Sequence, residues 1–270
     1  MRYGRIRPET AIGPAVLGVV GLFLCGPWLS AGVAAEEFRI VNRVYVGNEK
    51  EPKVTSTTLF HERTVYDFLE SPAEITIFDP DRDRFILLNT EKKIKTELTT
   101  NEVARFAERL QQWAKEHPSP FLRFMGSPRF EEKINDVSRE LEFDSPFVTY
   151  QIVAEDAKDP GIADQYREFS DWLAKLNTLL NPGAYPPHAR MLVNSILAKR
   201  HEVPAEVRLT MRTKGRLQLR PVTFQSKHHL VRRLVESDRR RIAQVAEYLS
   251  MFSSVSFNEY QKACREGEKE

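Results

Sequence analysis

The residues that could carry chemistry are few and scattered. The chain has six histidines, and only His228 and His229 are close together in sequence. Neighbours on a strand point to opposite faces, so the two rings cannot serve one site, and they read as half-exposed strand residues. His61 beside Glu62, and His188 near Arg190, have no companion at metal-ligand spacing. Asp79-Pro80-Asp81-Arg82-Asp83 sets carboxylates at alternate positions, as a calcium loop does. It lacks the glycine and the closing glutamate of such a loop, and reads as a solvated turn. Cys264 falls on a polar stretch with no base nearby in sequence to form a thiolate. There is no glycine-rich phosphate loop and no Gly-x-Ser-x-Gly elbow. No catalytic residue, metal site or cofactor is expected.

The least bland feature is basic. Between Lys199 and Arg241 there are thirteen Lys or Arg and four acidic residues, Glu202, Glu206, Glu236 and Asp238. Within it, Val207, Leu209 and Met211 alternate with Arg208, Thr210 and Arg212; Leu217 and Leu219 alternate with Arg216, Gln218 and Arg220. A three-residue loop, Thr213-Lys214-Gly215, would pair Met211 with Leu217 and Leu209 with Leu219, putting every apolar residue on one face. Gly215 would supply the positive φ. That register sets Arg212 opposite Arg216 and Arg208 opposite Arg220. Like charges directly opposite are unfavourable, so the arrangement asks for acidic partners. They are either carboxylates of the same chain or an anionic envelope component, such as a lipid headgroup or an acidic glycan.

The elements around these residues begin after a separate leader. Residues 1–35 have the layout of a secretory signal: Arg2, Arg5 and Arg7, then an apolar run, then small residues with Val33 and Ala35 at the −3 and −1 positions of a cleavage site. The chain is therefore expected to be exported, periplasmic or secreted. The alternative is an uncleaved segment that holds the protein at the membrane. The apolar run is short for a span of about 20 residues, and glycines and prolines interrupt it. Removing the leader takes away three arginines and one glutamate, which leaves the remainder neutral. Export disfavours a nucleic-acid partner. Only Cys264 lies beyond the leader, which excludes an intramolecular disulfide and a thiolate metal cluster there. Such a chain is held together by its core, and the remaining length suits one α+β domain, residues 36–270.

Alternation and β-branched composition predict strands over 38–46, 54–61, 63–69, 74–78, 85–88 and 94–98. Residues 85–88 are apolar on both faces, the signature of a strand covered on both sides. Thr100 or Asn101 caps a helix that ends before Pro118. Strand patterns return over 130–137, 140–143 and 147–154; helices follow over 162–180 and 187–199. After the basic hairpin come a strand at 228–235, a helix capped by Ser237 and a last helix at 257–265. The fold class is α+β: a curved antiparallel meander, half-barrel in type, with helices packed on one face.

The meander segment AEITIFDPDRDRFILLNTEKKIKTEL, with later inserted helices and further strands, resembles the half-barrel of periplasmic lipoprotein carriers and related lipid-binding envelope proteins. The likeness is one of layout over about residues 38–235, and the helices at 162–199 form a larger insertion than in that family. The resemblance implies a curved sheet whose concave face is covered by helices and holds an acyl chain. Ile75, Ile77, Phe85 and Leu87 then either line a cavity or fill a core, with Arg208, Arg212, Arg216 and Arg220 near a headgroup. Three functions follow in order. The first is a non-enzymatic exported protein binding a lipid or other amphiphile. The second is an interaction module of the envelope with a packed core. The third is a hydrolase with a dispersed site.

Overall fold

The apolar–polar alternation of the first described segment folds into a meander. β1 (Phe38–Val46), β2 (Val54–His61), β3 (Thr64–Leu69), β4 (Glu74–Asp79), β5 (Arg84–Asn89) and β6 (Ile94–Thr99) each pair antiparallel with the next. The computed structural model describes residues 37–181, 183–212 and 221–267. These fall in one unit, Ala34–Glu270.

The aspartate-rich turn between β4 and β5 is structural. A single helical turn, Pro80–Arg82, is capped by Asp79, whose carboxylate accepts from the Arg82 amide at 3.2 Å. The same carboxylate pairs with the Arg82 and Arg84 side chains at 3.0 and 3.3 Å. Burial raises the Asp79 pKa, but these two arginines more than offset that and hold it below the usual carboxylate range.

Helix α1 (Thr100–Glu116) starts one residue earlier than its sequence signals suggest, because Thr99 is the cap. The Glu102 amide donates to Thr99 Oγ1 at 3.2 Å, and the Thr99 amide donates to the Glu102 carboxylate at 2.7 Å. This reciprocal pair satisfies two end amides. Thr99→Ala is expected to cost about 1 kcal/mol, read as a lower urea midpoint; an unchanged midpoint would remove the cap's assigned role.

The apolar run after Pro118 forms a short helix, α2 (Pro120–Gly126), with Pro120 in its first turn. β7 (Glu131–Asn135), β8 (Glu140–Asp144) and β9 (Val148–Asp156) follow, then α3 (Pro160–Leu180) and α4 (His188–Lys199). β10 (Glu202–Met211) and β11 (Val222–Val231) precede α5 (Glu236–Met251), the two-residue β12 (Ser253–Ser254) and α6 (Phe257–Gly267).

The strands form one sheet in the order β12-β6-β5-β4-β3-β2-β1-β11-β10-β9-β8-β7. It is curved and does not close into a barrel. Among the described residues every pairing is antiparallel except β12 with β6. Two meanders thus meet where β1 pairs with β11.

The sheet is covered on both faces. On β5, Phe85 and Leu87 join Phe38, Phe60 and Phe78 against Ile162, Phe169 and Leu176 of α3. Ile86 and Leu88 face the other way and join Ile75, Ile77 and Phe68 with Val245 of α5. The double coverage read from residues 85–88 is present, with all four residues buried. The α3 face also carries α4, whose Ala189, Val193 and Leu197 pack on Leu141, Tyr150 and Val207. Helices on one face describes α3 and α4; α5 occupies the opposite one.

The β10–β11 register corrects the hairpin expected from sequence. Met211 pairs with Val222, Leu209 with Phe224 and Arg208 with Gln225. Arg208 therefore does not face Arg220, and Met211 and Leu209 do not face Leu217 and Leu219. The predicted loop, Arg216, Gly215 and Arg220 lie outside the described residues. Both registers keep the apolar residues of β10 on one face, so alternation alone does not choose between them. β1 does: it pairs with β11 from Arg39↔Val231 to Val46↔Phe224, which draws the segment before His228 into the strand. Pro221, which has no amide to give a ladder, stands just outside β11.

Candidate functional site

Inward-facing positions of the central strands are not all apolar. Asn42 on β1 lies opposite His228 on β11 and Ser56 on β2. Thr58 lies opposite Asp67 on β3. These side chains, with Ser226, meet residues of α3 and α4 around a cavity of about 480 Å³. Phe60, Phe169, Leu173, Val207, Leu209 and Phe224 give it apolar walls, and Arg190 enters from α4.

The helices place their groups for local reasons. α3 opens on Pro160, and its Asp159 cap accepts from the Gly161 amide at 2.7 Å. Its apolar stripe runs through Tyr166, Phe169 and Leu173, so one face fills the core and also borders the cavity. α4 is clamped to α3 by Asn194 donating to Asp171 at 2.8 Å. One turn before Asn194, Arg190 points inward and donates to the Tyr166 hydroxyl at 3.3 Å. The Tyr166 and His228 rings stand edge-on, centroids 6.3 Å apart.

Electrostatically the cavity is unsettled. Arg190 has no ion pair among the described residues. Burial, and secondarily the Arg190 charge, push His228 from its ordinary 6.5 down to about 3, so the ring is neutral. Asp67 accepts from Thr58 Oγ1 at 2.6 Å, but no cation reaches it among the described residues. Burial raises its pKa, and the hydroxyls of Thr58 and Ser56 only partly offset this. Asn42 Oδ1 is buried without a partner among the described residues.

Ser226 Oγ and His228 Nε2 are 3.0 Å apart, the distance of a nucleophile and its base. Three observations weigh against acyl transfer. A ring held at about pKa 3 is a weak base near neutrality. Arg190 opposes the imidazolium such a step would form. Among the described residues no carboxylate hydrogen-bonds to His228 to orient it. A guanidinium that makes no salt bridge among the described residues, above a largely apolar chamber, can instead hold an anion. No protein-family model matches this sequence, and no curated protein matches it.

The sequence-predicted site residues lie elsewhere. Ile75 and Ile77 sit in the α5-side cluster, Phe85 and Leu87 in the α3-side cluster, so they do not share a face and none lines the cavity. Residues 80–83 are the reason. That four-residue connection pairs Ile75 with Leu88 and Ile77 with Ile86, opposing odd positions of β4 to even positions of β5. Arg208 is exposed on the outer face, beside Glu206 and Gln151. Arg212 donates to the Ser145 carbonyl at 2.9 Å and lies 3.5 Å from Asp144. Arg216 and Arg220 lie outside the described residues.

Much of the basic segment is answered within the chain: Arg200 by Glu202 and Asp136, Arg232 by Glu155, Arg239 by Glu37. Cys264 donates to the Glu74 carboxylate at 3.0 Å, and burial with that carboxylate pushes its thiol up to about 12, far from a thiolate. Among the described residues no cluster of three metal-binding side chains occurs, and no helix is long and apolar enough to cross a membrane.

Asn42, Asp67 and Arg190 are not among the sequence-predicted site residues. His228 is partly exposed and His229 exposed, on opposite faces as alternation requires; what the alternation does not show is that His228 faces a cavity. Asn42 interrupts the inward row Phe38, Ile40, Val44, and Asp67 interrupts Val65 and Leu69. A polar residue at an inward strand position was the available signal.

Proposed function

We propose that this chain is an exported, non-enzymatic protein that holds a small amphiphilic ligand between the sheet and helices α3 and α4, with the ligand's anionic group at Arg190. The supporting observation is an arginine that, among the described residues, makes no salt bridge and meets the Asp171 carboxylate only at longer range, at the wall of a largely apolar cavity. A volume of about 480 Å³ suits a ligand of modest size. The same layout supports the likeness to half-barrel lipid carriers, with the cavity moved away from β4 and β5 toward the junction of β1 and β11.

Titration calorimetry with dodecanoate tests the reading. Wild-type protein binds it, and Arg190→Gln weakens binding roughly 10- to 100-fold, the size of a lost charge-assisted hydrogen bond. Absence of dodecanoate binding by the wild type, or equal binding by the variant, overturns it.

A second reading concerns the outer face. Arg43 lies directly opposite Lys227, both exposed; Glu206 faces Lys227 from β10 on its other side, and Arg208 follows two positions along β10. None of the three basic side chains is ion-paired among the described residues. Like charges so placed are unfavourable, which favours contact with an anionic envelope component at that face.

A further inference from the structure

The cavity has a second polar end. Asp67 stands on β3 and His228 on β11, with β2 and β1 between them. Three inter-strand steps separate them, about 14 Å along the sheet. Both side chains line the cavity, and Arg190 reaches in over the His228 end, where it meets Tyr166. The one carboxylate and the one guanidinium that line this chamber therefore sit toward opposite ends and do not pair with each other.

We propose that the ligand is bipolar, with an anionic group at Arg190, an ammonium group at Asp67 and an apolar body between them. This rests on the reading of the cavity as a ligand site and names the chemistry of that ligand. The Asp67 carboxylate already accepts from Thr58 at 2.6 Å, and the residue lines the chamber. A partly buried carboxylate without a cation is costly, and a valine or threonine would complete this strand position at no such cost. A ligand ammonium supplies the counter-charge that the described protein omits. The intervening wall sets Phe60, Phe169 and Leu173 beside the neutral polar side chains of Ser56, Thr58 and Asn42; none of these carries a charge, so the two charges belong at the ends of the molecule. An α-amino acid, whose charges are adjacent, does not fit that spacing. An ω-amino carboxylate does.

The test compares dodecanoate, dodecylamine and ω-aminododecanoate, each below micellar concentration, on the full chain by titration calorimetry. The ω-amino acid is expected to bind at least tenfold more tightly than dodecanoate. Asp67→Asn, checked for folding by circular dichroism, is expected to bring those two affinities together. Equal binding of dodecanoate and the ω-amino acid by the wild type overturns the bipolar ligand and leaves the anion site standing. An advantage that survives Asp67→Asn also overturns it, by removing Asp67 from the recognition. If neither dodecanoate nor the ω-amino acid binds, both readings fall. The wild-type comparison decides the matter even if the variant does not fold.

Discussion

Phe85→Ala is expected to lower the stability of this protein by about 3–5 kcal/mol. Phe85 is fully buried, stacks on Phe78 with centroids 4.9 Å apart and meets Trp172 edge-on at 6.3 Å. It lies opposite Leu98 on β6 and under α3. Neighbours on a sheet are held by ladder hydrogen bonds and cannot close in to fill the space, so truncation leaves a cavity. Folded domains are stable by only about 5–15 kcal/mol, so the loss is a large fraction of the whole. The adjacent Ile86 offers the contrast. It faces α5 through the other cluster, and Ile86→Val removes one methylene group for about 1 kcal/mol. Urea unfolding measures both. A midpoint for Phe85→Ala no lower than that of Ile86→Val would contradict the packing of β5 against α3.

That strand was legible because its signal is contiguous: Phe85, Ile86, Leu87 and Leu88 leave no polar face to turn outward. The stripe of α3 was legible for the same reason, since Tyr166, Phe169, Leu173 and Leu176 recur at helical spacing. What depended on connections was not. Assigning Ile75 and Phe85 to one surface required knowing how many residues turn between β4 and β5. Pairing Leu209 with Phe224 rather than Leu219 required knowing that β1 would claim the other edge of β11. Alternation fixes which residues share a face of one strand; it does not carry that phase across a turn. The cavity was least legible, because a void is a property of how α3 and α4 stand off the sheet. Its polar lining was visible all the same. Asn42 and Asp67 break inward rows, and a buried polar residue carries more information than another buried leucine. Arg190 could not be placed in advance, because α4 approaches the sheet through tertiary contacts with α3.

The neutral state of His228 makes the protein sensitive to acid in a way that separates this ring from other groups. Its folded pKa is about 3, against an ordinary 6.5. A depressed histidine means that the unfolded chain takes up the proton first as pH falls. The stabilising contribution of His228 is therefore complete above about pH 6.5 and drains away toward pH 3. One proton sets a ceiling of about 1.4 kcal/mol per pH unit; part of the ring meets the cavity, so the realised slope is lower. Asp67 acts in the opposite sense. Its raised pKa means that the folded state takes its proton at higher pH than the unfolded chain, so it favours folding as pH falls through its raised value toward its ordinary 3.8. Asp79 and Glu102, held low by their partners, add acid sensitivity of their own. The difference between wild type and His228→Asn cancels these common terms. The asparagine keeps a partner for Ser226 and cannot be charged. Between pH 7 and pH 5 the wild type is expected to lose about 1–2 kcal/mol more than the variant, measured by urea unfolding at each pH. Parallel losses in the two proteins would mean that His228 is not held neutral, and the charge environment assigned to the cavity would fail with it. Bound dodecanoate should shrink the difference, because an anion beside Arg190 offsets the charge that helps to hold His228 neutral and lets its folded pKa rise.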